Sequence, residues 1–103
     1  MDENINDWIS KKITSNDVVL YMKGTPETPQ CGFSSQVVQI LNYLGIEFSS
    51  VNVLEDESIR NGIKEYTNWP TIPQLYVKNE FIGGADIVRE MFEENELKEF
   101  LKD

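Results

Sequence analysis

Residues 18–34 read VVLYMKGTPETPQCGFS, and their order decides the architecture. Val18-Val19-Leu20-Tyr21-Met22 is a short apolar run of strand formers, the mark of a buried strand. Lys23 to Gln30 contains Gly24, Pro26 and Pro29, so the chain must loop there. From Cys31 an apolar stripe follows at helical spacing, Phe33, Val37, Ile40, Leu41 and Leu44, with Gly45 placed to end the helix. Phe48, Val51 and Val53 mark a second strand. The intervening helix is long enough for a parallel, right-handed crossover.

The pattern extends outward on both sides. Ile5, Trp8, Ile9 and Ile13 predict an amphipathic helix before the first strand. Asp56 to Tyr66 reads as another helix, packed through Ile59, Ile63 and Tyr66. Gln74-Leu75-Tyr76-Val77, the turn Lys78-Asn79, and Phe81-Ile82 form a hairpin by alternation and turn chemistry. After Gly83-Gly84, Asp86 is placed to cap a helix through Met91 and Phe92, and Asn95 to cap a last one through Leu97, Phe100 and Leu101. The order αβαβαββαα predicts a three-layer α/β domain, a mixed sheet with helices on both faces. No linker or repeat divides residues 1–103, so one domain is expected; at this length a fold buries roughly two thirds of the unfolded chain's surface.

Composition narrows the chemistry. The 18 acidic residues outweigh 9 basic ones, for a net charge of −9. Such a surface repels nucleic acid and anionic membrane. Histidine is absent, which removes Ser-His-Asp and Cys-His catalysis and histidine-ligated zinc. No apolar run reaches transmembrane length, and the start, Met1-Asp2-Glu3-Asn4, is acidic, unlike a targeting peptide. One cysteine permits no internal disulfide and is ordinary in a reducing compartment, so the cytoplasm is the expected location.

A lone cysteine is by default a small buried hydrophobe. Cys31 has a different setting: it follows a Pro-bearing loop, precedes Gly32 and opens a helix, beyond the carboxyl edge of the sheet where ligands gather. Free N–H groups and the helix dipole favour its thiolate, and Lys23 pushes the same way. Ser34 stands where a dithiol protein carries its second cysteine, so any redox cycle must borrow an outside thiol. The plain alternative for Ser34 is a hydroxyl satisfying first-turn N–H groups.

Cys31-Gly32-Phe33-Ser34, Lys23 eight residues before, Trp69-Pro70-Thr71-Ile72-Pro73-Gln74, and Gly83-Gly84-Ala85-Asp86 together resemble the monothiol glutaredoxins of the CGFS type. The match runs from about Val18 to the final helix and implies a thioredoxin-like (glutaredoxin) fold with a four-stranded mixed sheet flanked by helices. It further implies a cis proline at Pro73, with the peptide of Ile72 holding glutathione's cysteinyl part. Lys23 and Arg60 are then cations facing glutathione, and the amides of Ala85 and Asp86 hold a carboxylate. Asp86 is also expected to meet the γ-glutamyl end. Lys64, one turn after Arg60, reads as solvated surface. Many relatives carry a cysteine where Ala85 stands, so any mechanism needing that second thiol is excluded here.

A [2Fe–2S] cluster takes four thiolates. The resemblance implies a homodimer bridging one cluster through Cys31 and one glutathione from each chain, an iron–sulfur carrier in cluster assembly and iron homeostasis. Expected partners are recipient proteins and a BolA-type protein. The alternative is a glutathione-dependent thiol–disulfide oxidoreductase that removes glutathione from proteins. A third reading is a non-catalytic docking module, against which Cys31, Lys23 and Asp86 argue.

Overall fold

The computed structural model describes residues 4–101; the acidic start at residues 1–3 lies outside the described residues. The elements are α1 (Ile5–Thr14), β1 (Val18–Met22), α2 (Gly32–Tyr43), β2 (Ser49–Asn52), α3 (Glu57–Thr67), β3 (Gln74–Val77), β4 (Glu80–Gly83), α4 (Ala85–Glu93) and α5 (Glu96–Leu101). The strands form one mixed sheet in the order β2-β1-β3-β4. β1 pairs parallel with β2 and antiparallel with β3, and β3 pairs antiparallel with β4.

All five residues of β1 are buried, because β1 is central and covered on both faces. Alternation divides them. Val18, Leu20 and Met22 join Val37, Leu41, Val88 and Leu97, the layer of α2, α4 and α5. Val19 and Tyr21 join Ile9, Ile13 and Ile63, the layer of α1 and α3. Each such side chain, fully buried, contributes about 1.5–3 kcal/mol of transfer free energy. The Tyr21 and Tyr76 rings meet edge to face at 5.7 Å, and burial pushes both phenols well above the ordinary tyrosine range.

Local chemistry ends the elements where the sequence suggests, with some exceptions. The Asn4 and Asp56 side chains cap α1 and α3. Gly45, at φ 71°, closes α2 through bonds from its own N–H to Asn42 O and from Ile46 N–H to Leu41 O. Lys78 and Asn79 both take positive φ, the twist a two-residue hairpin turn needs. Asp86, however, is not the cap of α4. That helix begins earlier, with Gly84 at the cap position, so Asp86 falls in its first turn beside Arg89, 3.5 Å away. Asn95 is left-handed, at φ 63°, and donates its N–H to Phe92 O, which ends α4 instead of capping α5 in the extended manner. Two residues assigned to core stripes lie outside: Phe33 is 59% exposed and Tyr66 42%. Among the described residues, no helix is long and apolar enough to cross a membrane.

Candidate functional site

The loop after β1 is tied down on every side. Lys23 N–H donates to Ser34 Oγ at 3.1 Å, and Lys23 O accepts from Gln30 N–H at 2.9 Å. Gly24 N–H donates to Asn52 Oδ1 at 2.9 Å, an oxygen that also accepts from Leu54 N–H at 3.0 Å. Residues 23–30 thus return the chain to the sheet edge and deliver Cys31 at the cap position of α2. Ser34 is wholly buried. Its hydroxyl satisfies an amide eleven residues earlier, not the first turn of its own helix.

Cys31 is half-exposed, and its side chain makes no capping bond. The Ser34 amide is the main influence lowering its pKa. The Phe33 amide, the Lys23 ammonium and the Ser34 hydroxyl add to it, while partial burial opposes. The thiolate is therefore favoured by the helix start.

A groove of about 400 Å³ opens beside the sulfur. Lys23, Cys31 and Phe33 form one wall, with Lys64 of α3 nearby. Trp69, Thr71, Ile72 and Pro73 form the floor, where the Ile72–Pro73 bond is cis. Gly84, Ala85, Asp86 and Ile87 close the far side at the start of α4. Gly84 has no side chain with which to cap α4, so the first-turn N–H groups there remain for an anion. Gly83, at φ 151°, sets this corner: a Cβ on it would lie 2.7 Å from Cβ of Ile87.

The glutaredoxin family model matches residues 18–82, most of the chain, including the Cys31 wall and the floor of this groove. The chain belongs to the glutaredoxin family, among its monothiol members. An uncharacterized monothiol glutaredoxin of Synechocystis is 57% identical over 94 residues, covering 91% of this chain and 88% of that one. A probable monothiol glutaredoxin 2 of Rickettsia typhi is 54% identical over 104 residues, covering 100% of this chain and 94% of the relative. The solution structure of reduced poplar apo GrxS14 superposes with a TM-score of 0.81 at 54% identity, covering 92% of this chain and 87% of that one.

In this glutaredoxin the fold gathers Lys23, Cys31, Ile72, Ala85 and Asp86 around one groove. Arg60 is not among the lining residues. Lys64, one turn nearer the end of α3 that leads into the floor, takes that place. Phe33, Trp69, Thr71 and Ile87 also line the groove; from sequence, Phe33 was expected in the core stripe of its helix, and Trp69 and Thr71 only carried the family motif. For Phe33 the signal was present: it adjoins the cysteine in the first turn, where a side chain projects past the sheet edge.

The sulfur's surroundings set a pH expectation. Because the folded state lowers this thiol's pKa, the stability it contributes is present above the unfolded thiol's pKa. That contribution is lost as pH falls through the lowered folded value. Titrated by thiolate ultraviolet absorbance, Cys31 is expected to ionise below a free peptide cysteine. Lys23→Met is expected to raise the midpoint only slightly, since the amide of Ser34 outranks the ammonium. A wild-type midpoint at or above the free thiol's would contradict this account.

Proposed function

We propose that this glutaredoxin binds glutathione in the groove beside Cys31 and, as a homodimer, carries a [2Fe–2S] cluster as cargo. The observation that supports the reading best is a half-exposed, thiolate-favouring cysteine on a groove large enough for a tripeptide, in a chain with one cysteine. Among the described residues no group of His, Cys, Asp or Glu suits a metal ion. Four thiolates then require two copies of Cys31 and two glutathione sulfurs.

The groove's chemistry suits the ligand's ends. The Ile72 backbone would meet the cysteinyl part. The first-turn amides of Ala85 and Asp86 would take the γ-glutamyl carboxylate, and the Asp86 carboxylate its ammonium. Lys23, Lys64 and, from outside the groove, Arg60 would face the glycyl carboxylate. Cargo held half by exchangeable thiols suits transfer to recipient proteins in cluster assembly and iron homeostasis, with a BolA-type protein as an alternative partner. A reduced glutathione pool such as the cytoplasm's fits this chemistry.

Anaerobic reconstitution with ferrous iron, sulfide and glutathione is expected to give a coloured dimer, and omission of glutathione a colourless monomer. A colourless monomer under both conditions rejects the carrier reading.

The low-pKa thiol also favours a second reading, removal of glutathione from proteins. The Cys31 thiolate would attack the glutathionyl sulfur of a mixed disulfide and release the protein thiolate. A second glutathione thiolate would then attack the Cys31–glutathione disulfide, restoring the Cys31 thiolate and releasing oxidised glutathione. Fast turnover in a glutathione-coupled assay would promote this reading over the carrier.

A further inference from the structure

We infer that Gln74 is a positioning residue that sets the floor of the groove, an inference resting on the glutathione reading above. Gln74 is wholly buried, one of two such polar residues in the described core. Its Nε2 donates to Trp69 O and Thr71 O, both at 3.2 Å. Its Oε1 accepts from Tyr76 Oη at 2.8 Å and lies 3.2 Å from Thr67 Oγ1, whose single proton is shared with Ile63 O at 2.9 Å. Two carbonyls on one side and the Tyr76 hydroxyl on the other leave a single amide orientation that satisfies them. Both donors and at least one lone pair are then used.

The placement gives this network its meaning. β3 begins at Gln74, so the floor just before it lies outside the strand ladder that would otherwise hold its carbonyls. Trp69 and Thr71, whose carbonyls Gln74 holds, both line the groove. Thr67 ends α3, the helix that carries Lys64. One buried amide therefore ties the floor to the helix bearing a groove cation and to the central sheet. A fully satisfied buried network of this kind fixes one geometry where apolar packing alone allows several. A ligand held by the Ile72 backbone depends on that geometry.

Gln74→Met keeps length and bulk but leaves the Trp69 and Thr71 carbonyls without their donor. By calorimetry on the reduced protein, glutathione affinity is expected to fall about tenfold. The Cys31 titration midpoint is expected to stay unchanged, since its determinants, Ser34, Phe33 and Lys23, are not partners of Gln74. Tyr76→Phe, which keeps both donors to the floor, is expected to stay within about twofold of wild type. A folded Gln74→Met protein with wild-type affinity, or one whose thiol titration shifts as much as its affinity, overturns the inference and leaves the glutathione reading standing. A wild-type protein with no affinity overturns both.

Should Gln74→Met fail to fold, the wild type supplies the test. Saturating glutathione is expected to slow hydrogen exchange of the Gln74 side-chain amide severalfold, and an unchanged rate overturns the inference.

Discussion

Cys31→Ser is expected to fold at least as well as the wild type while losing all thiol chemistry. The two consequences share one cause. Cys31 occupies the cap position of α2 in extended backbone, at φ −152°, yet its sulfur closes no capping bond. A serine hydroxyl is among the best acceptors for first-turn amides, and such a cap is worth about 0.5–2 kcal/mol. For a domain of this size about 1 kcal/mol corresponds to roughly 4–8 °C in melting temperature. Thermal unfolding should therefore rise or hold, while reconstituted colour and reaction with alkylating reagents vanish. The wild-type residue sacrifices helix capping for a reactive sulfur. A variant that melts well below the wild type would show that the sulfur is structural after all.

Gly24→Ala should be the most damaging single methyl in the loop. Gly24 lies at φ 92°, and an added Cβ would stand 2.6 Å from Thr28 O, 2.7 Å from Gln30 N and 2.8 Å from Gln30 Cγ. Two of these three atoms are backbone, held by Thr25 N–H to Thr28 O at 3.3 Å and by Gln30 N–H to Lys23 O at 2.9 Å. Left-handed strain costs about 1–3 kcal/mol and overpacking a similar amount, so a loss of about 3 kcal/mol is expected. It should appear as a lower urea midpoint with an unchanged slope. Displacing Gln30 also shifts its neighbour Cys31, so thiol titration should move as well. Gly32→Ala is the matched control. It has no atom within 4 Å of the added Cβ and lies in helix, where alanine gains about 0.5–1 kcal/mol over glycine. Equal stabilities for the two variants would refute the steric argument.

The element order and the parallel crossover were readable because β1 is apolar throughout and the helix after it is long. The position of Cys31 at a helix start was readable from Pro29 before it and the apolar stripe after it. Other features needed three dimensions. Phe33 and Tyr66 keep helical period with core residues, but their turns of α2 and α3 leave them largely exposed. Asp86 is a good capping residue by type, yet Gly83 turns the chain early enough for α4 to start at Ala85. The family resemblance pointed to Arg60 and Lys64 read as solvated surface, whereas Lys64, nearer the end of α3 that leads into the floor, is the one that lines the groove. Ser34 and Gln74 act on residues that sequence spacing does not link to them: an amide eleven positions back, and the carbonyls of a loop with no regular structure.

The walls of the groove come from separate stretches of chain, at residues 23, 31, 33, 64, 69–73 and 84–87. No half-folded intermediate can own such a cavity, since closing it requires the first strand, the hairpin and the fourth helix together. A small molecule lodged there acts as a final tertiary contact across the whole polypeptide: at a hundred times its dissociation constant it deepens the native well by about 2.7 kcal/mol. Under the proposed binding of glutathione, native-state stability follows ligand supply, so protein stripped of that ligand is expected to be the more open to proteases.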